Sequence, residues 1–148
     1  MKTENAGRRA VAMALLVSVL VVGMLPAAAQ QPAGAKSKLV MQVSDGDTAK
    51  WNLALNNAKN VQVDLGATNV DIEIVAYGPG IGMLKADSPS SNRVADAVKS
   101  GVEMVACENT MTVQKLAKAD MIASISYVPA GVVQLMKRQS QGWAYIRP

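Results

Sequence analysis

An α/β fold built on a parallel sheet covered on both faces is what this sequence predicts, and three observations carry the prediction. From Lys38 onward, short runs rich in Val and Ile alternate with longer segments of helical character. Glycine, proline or a helix-capping residue punctuates the junctions between them. The chain has 148 residues, half of them hydrophobic, which suits one domain with a substantial core.

Each element follows from its own residues. Lys38–Val43 reads as the first strand and runs into the turn Ser44-Asp45-Gly46. Asp47 stands where a helix cap is needed, ahead of a helix from about Thr48 to Leu65 with Gly66 just past its end. Leu53, Leu55, Ala58, Val61, Val63 and Leu65 give that helix an apolar but irregular face. Val70–Tyr77 alternates Val70, Ile72 and Ile74 against Asp71 and Glu73, then turns wholly apolar, as a strand does. Gly78-Pro79-Gly80-Ile81-Gly82 reads as a tight glycine-rich turn. Pro89–Ser100 is a second helix with Val94, Ala97 and Val98 inward and Gly101 closing it. Val102–Ala106 is a short apolar strand with Cys107 at its exit, and Asn109 or Thr110 is the expected cap of a helix reaching about Leu116. Ala117–Ser124 fits no pattern cleanly and reads as another helical turn. Ile125–Val128 is a strand, Pro129 a helix opener, Val132–Gln141 the last helix closed by Gly142, and Trp143–Ile146 a terminal strand.

The N-terminal residues have another character. Met1–Arg9 is basic, Ala10–Leu25 is apolar and uncharged, and Pro26 precedes Ala27-Ala28-Ala29. These are the three parts of a secretory signal peptide, predicted at 1–29 with cleavage after Ala29. The apolar stretch is short of the roughly 20 residues a bilayer-spanning helix needs, which favours cleavage, and no stable membrane insertion afterwards, over a retained anchor. Arg8-Arg9 raises the twin-arginine route, but Ala10-Val11-Ala12 lacks its bulky apolar residue, so the general secretory route is expected. No cysteine lies near the cleavage site to take a lipid. The expected product is a flexible lead-in, 30–37, and a domain, 38–148, in the periplasm or outside the cell.

Composition excludes several activities. Fifteen Lys and Arg against eleven Asp and Glu give a net charge of +4, and loss of Lys2, Glu4, Arg8 and Arg9 with the leader lowers it by two. The remaining basic residues are dispersed, aromatics are few and Phe is absent, so no nucleic-acid partner is expected. One Cys precludes a disulfide within the chain, and the lack of His removes Ser-His-Asp and Cys-His nucleophile pairs and the usual structural zinc sites. No metal or cofactor is expected.

Ligands of such sheets sit beyond the carboxyl ends of the strands. Ser44 and Asp45, the glycines Gly78, Gly80 and Gly82, and Cys107 with Asn109 and Thr110 all fall on that edge. Cys107 is the candidate nucleophile or sulfur carrier, since amides at a strand-to-helix turn stabilise a thiolate; Glu108 opposes this with negative charge. The alternative reading makes Cys107 a small buried packing residue. The glycine turn lacks the Lys-Ser/Thr of a P-loop and the dinucleotide fingerprint, but it can border a pocket over Cys107. Asp45-Gly46-Asp47 is an arrangement found in aspartate-nucleophile phosphatases, yet a mature chain of about 120 residues is small for such an enzyme with its cap, and a turn with a helix cap accounts for it. Met83 and Met111 near the edge read as core filling.

Four segments resemble the DsrE/DsrF-like family of sulfur-relay proteins: Val43-Ser44-Asp45, Val75-Ala76-Tyr77-Gly78-Pro79-Gly80, Val105-Ala106-Cys107-Glu108-Asn109-Thr110-Met111 and Val128-Pro129-Ala130-Gly131-Val132. The resemblance implies a three-layer α/β/α sandwich with a mostly parallel five-stranded sheet, and assembly into homotrimers or hexamers. It also implies a persulfide held on Cys107, received from a sulfur donor and passed to an acceptor thiol protein. Relay members work in the cytoplasm and open the helix after the cysteine differently, so the fold transfers further than the activity. Two functions are open at this point: a periplasmic sulfur carrier or sulfurtransferase, and a non-catalytic oligomeric module binding a small ligand or anion at the same edge.

Overall fold

Three same-direction steps and one long return define the chain path. In the computed structural model, which describes residues 34–148, strands β1 (Ser37–Val43), β2 (Val70–Ala76), β3 (Val102–Cys107), β4 (Ser126–Val128) and β5 (Ala144–Ile146) form one sheet ordered β4-β3-β2-β1-β5. All four neighbouring pairs are parallel. The predicted leader 1–29 and its cleavage site lie outside the described residues. Helices α1 (Thr48–Leu65), α2 (Ser91–Lys99), α3 (Glu108–Val113) and α4 (Gly131–Ser140) make the crossovers.

Handedness decides where these helices lie. Steps from β1 to β2, β3 and β4 all run the same way across the sheet, so right-handed crossovers put α1, α2 and α3 on one face. The return from β4 to β5 runs the other way, and the same hand carries α4 to the opposite face. Side chains divide accordingly. Leu39, Met41, Ile72, Ile74, Val102 and Met104 meet Trp51, Leu55 and Val94 in the main core, whereas Val40, Val75 and Val105 meet Leu135 of α4 in a smaller one. The result is the three-layer sandwich that the resemblance implies.

Local chemistry accounts for most boundaries. Asp47 caps α1 by accepting from the Ala49 amide at 2.8 Å, and Gly66, at φ 86°, ends it. Trp51 anchors the helix to the end of β1 by donating its indole N–H to the Asp45 carbonyl at 2.6 Å.

Three expectations need correction. The glycine-rich segment is not a plain turn but a 3-10 helix, Gly78–Leu84, with Pro79 in its first turn, where a missing N–H is harmless. Neither Asn109 nor Thr110 caps α3; the helix starts directly from the strand, and Cys107 itself holds the cap position. Glu73, on the polar side of the β2 alternation, is 0 % exposed because that side of the sheet lies under α4.

Candidate functional site

The chain's connectivity marks one crevice. The loop after β3 turns toward the α3 face and the loop after β4 toward the α4 face, although the two strands are neighbours. Adjacent strands whose connections diverge leave a gap at their carboxyl ends, the place where open α/β sheets bind ligands. Cys107 and Val128 are paired across this gap.

Cys107 lies on the α4 side of the sheet and is only 5 % exposed, yet its immediate surroundings are polar. As a thiol it faces the Pro129 carbonyl, with Sγ to oxygen 3.9 Å. The Gly78 amide donates to the Thr110 hydroxyl oxygen at 3.0 Å, which occupies a lone pair there and leaves the hydroxyl proton free to point at the sulfur. The amides of Gly131, Thr110 and Asn109 lie on the remaining side, the last of them donating to the Pro129 carbonyl at 3.1 Å. Burial by itself pushes the thiol pKa up, but the Thr110 hydroxyl and the three amides outweigh it and hold the pKa below its ordinary value. Glu108 does not reverse this, because its carboxylate is paired with Lys118 at 3.3 Å.

Gly131 is the residue that brings α4 so close. A Cβ there would stand 3.2 Å from the Tyr77 ring, 3.2 Å from Val75 and 3.3 Å from the Cys107 Cβ, so a glycine lets the first amide of the helix approach the sulfur. That amide is one of the N-terminal donors a helix leaves unpaired, and Ala130 supplies no side-chain cap to compete for it.

The predicted site residues divide into two groups. Cys107, Asn109, Thr110 and Gly78 converge at the crevice. Ser44, whose hydroxyl accepts from Gln42 Nε2 at 3.0 Å, lies beside Tyr77, whose phenol pKa burial raises. The other three face elsewhere. Asp45 gives its carbonyl to Trp51 and its carboxylate to Arg147 at 3.4 Å. Gly80 faces the backbone of Val43, and Gly82 packs on the Trp51 ring, where their missing Cβ atoms make close approach possible. Gly131 and Tyr77 were not singled out as site residues from sequence; the Gly131 amide carries no side-chain signature, and Tyr77 reads as the last apolar residue of a strand.

Among the described residues no three carboxylate or thiol side chains gather as a metal-binding group. A cleft of about 470 Å³ between α1 and α2, lined in part by Leu55, Ala58, Arg93 and Val102, lies at the other end of the sheet, since Val102 opens the strand that Cys107 closes.

A thiol with a depressed pKa ties stability to pH. Between the folded and unfolded pKa values the unfolded chain keeps a proton that the folded chain has lost, so stability rises with pH across that interval and is lost as pH falls through the folded value. The stability difference between wild type and Cys107→Ser, measured by denaturant unfolding, is expected to widen as pH climbs toward the ordinary thiol pKa of about 8.5. A difference that stays flat with pH contradicts the depressed value.

Known proteins share this fold. A solved structure described as the protein of unknown function MTH1491 from Methanobacterium thermoautotrophicum is 34% identical, with a TM-score of 0.73; the match covers 76% of this chain and 100% of that one. The conserved protein of unknown function BT1422 from Bacteroides thetaiotaomicron shares the fold at 14% identity and a TM-score of 0.63, over 76% of this chain and 95% of its own. No curated protein matches the chain. The family model described as DsrE/DsrF-like matches residues 37–148, the whole sheet and its four helices, and by that match the chain belongs to the DsrE/DsrF-like family.

Proposed function

We propose that this protein is an exported sulfur carrier that holds a persulfide on Cys107. The observation that carries the reading is the thiol at the divergence of β3 and β4, with the Thr110 hydroxyl and the amides of Gly131 and Thr110 turned toward it. Family membership supports a sulfur-relay role of this kind.

The chemistry is a transfer of sulfane sulfur. The Cys107 thiolate attacks the terminal sulfur of a persulfide or polysulfide donor, a new S–S bond forms on Cys107 as the donor's S–S bond breaks, and the donor leaves as its thiolate. An acceptor thiolate then attacks the outer sulfur and restores the Cys107 thiolate. Both steps pass an anionic sulfur through the same place, so fixed amide donors favour each of them without rearranging. Residues 1–29 are removed on export in this reading, and the mature domain works as a homo-oligomer. The half-exposed apolar side chains of Val132, Val133 and Met136 on α4 and of Tyr145 and Ile146 on β5 support such an assembly.

Mass spectrometry of the protein recovered from the periplasm tests this directly. After treatment with polysulfide, the native protein is expected to gain about 32 Da, one sulfur atom, on the peptide containing Cys107. The untreated mass is expected to correspond to a chain starting at Gln30. If the denatured protein takes up sulfur while the native one takes up none, Cys107 is a packing residue and the carrier reading fails.

A further inference from the structure

Among the described residues α4 is the sole helix on its side of the sheet, and it docks by an uncommon combination of groups. Gly131, Gln134, Leu135 and Arg138 recur at helical spacing and form its inward stripe, in which Gly131 and Leu135 are buried. The buried apolar contact beneath the helix is small, Leu135 against Val40, Val75 and Val105, with Tyr77, Val128 and Trp143 packed around it. Its far end is fastened by Glu73. This carboxylate, wholly buried on the central strand β2, accepts from Gln134 Nε2 at 2.9 Å and Arg138 Nε at 2.6 Å, and a second guanidinium nitrogen of Arg138 closes the ion pair. Glu103 of β3 faces the same guanidinium at 3.5 Å, and the Trp143 ring lies against it at 4.5 Å.

A carboxylate with no solvent access is strongly unfavourable without its partner, so the contact stays closed as long as α4 lies on the sheet. Closing it sets the height of Arg138 above the sheet. About 10 Å away, two turns along the axis, the Gly131 end rests on Tyr77, Val75 and Cys107 so closely that even a Cβ would be tight. One end of the helix is drawn to the sheet and the other is stopped against it, which leaves α4 little freedom to tilt.

We propose that Glu73, Gln134 and Arg138 form a positioning clamp for Cys107: by fixing the tilt of α4 they hold the Gly131 amide on the sulfur. The inference rests on the reading of Cys107 as the sulfur-bearing residue. None of the three clamp residues is a catalytic residue, since none touches the thiol. Two titratable groups lie beside Cys107: Tyr77, just past β2, whose ring shares the Gly131 contact with it, and the adjacent Glu108 of α3, which Lys118 pairs. The clamp therefore acts through helix placement.

Thiolate titration of the intact protein, followed by its ultraviolet absorbance with Cys107→Ser as the blank, separates this role from simple stabilisation. Arg138→Met strands Glu73 and lowers the melting temperature. The pair Glu73→Leu with Arg138→Met removes both charges together, keeps apolar bulk beneath α4 and is expected to restore the melting temperature. The clamp predicts that the titration midpoint of Cys107 rises by about one unit in the double variant even though its stability has returned. A double variant that titrates like wild type overturns the proposal. Polysulfide loading of the wild-type protein is read separately: its failure removes the carrier role and leaves the clamp's effect on the thiol measurable.

Discussion

Cys107→Ser abolishes sulfur loading outright while leaving the fold in place. The loss is total because this is the one cysteine in the chain, and no second thiol can take its part. A serine hydroxyl neither ionises near neutral pH nor forms a stable bond to sulfane sulfur. The structural cost is small: serine is close to cysteine in size and the Thr110 hydroxyl beside it suits a polar atom, so the stability change is expected to be about 1 kcal/mol or less. Intact mass after polysulfide treatment is the measurement, with wild type shifted and the variant unshifted. Sulfur uptake by the variant at the wild-type level excludes Cys107 as the carrier.

Gly80→Ala has the largest expected effect on stability. A Cβ at Gly80 would lie 2.2 Å from the Val43 carbonyl oxygen, 2.6 Å from its carbon and 2.9 Å from the Ser44 nitrogen. All three atoms belong to the backbone at the end of β1, where Val43 is paired with Ala76 of β2, and cannot rotate away as a side chain would. The 3-10 segment cannot easily retreat either, because the Gly80 amide donates to the carbonyls of Ser44 at 3.2 Å and Tyr77 at 3.1 Å. Overpacking against fixed backbone is expected to cost about 3 kcal/mol. In a domain of this size that is a fall of roughly 10 °C in the thermal midpoint. Because Gly78 opens the same segment and donates to Thr110, the variant should also loosen the hydroxyl that faces the thiol. A melting temperature within about 2 °C of wild type contradicts this packing.

The architecture was legible in the sequence wherever a single element carries its own signal. The run Val102–Ala106 has no polar face to hide except at Glu103, and α1 begins after a true cap at Asp47 and ends at Gly66 as its residues indicate. Legibility stopped where distant residues meet. Glu73 shares its alternation with Asp71, a residue that does reach solvent, and only the placement of Arg138, sixty-five positions later, distinguishes the two. Asn109 and Thr110 have the side chains that usually cap helices, yet here Thr110 turns its hydroxyl to sulfur and the Asn109 amide holds the Pro129 carbonyl that faces the thiol. That local rule is broken at the site itself, where a cysteine takes the cap position that preference would give to a neighbour. Of the glycines expected around the pocket, Gly78 serves the site, while Gly80 and Gly82 serve packing. Composition cannot tell these uses apart, since each is written with the same absent side chain.

The unequal division of helices between the two faces has a consequence for motion. A thick layer of interlocked side chains backs one side of the sheet, while a thin one of four buried aliphatic residues and a single ionic fastening backs the other. Fluctuations that lift the thin side need not melt the thick one, so amide hydrogens there should exchange with solvent through local opening, well before the rest of the molecule yields. An atom of sulfur enclosed under such a cover becomes reachable by brief excursions of one helix.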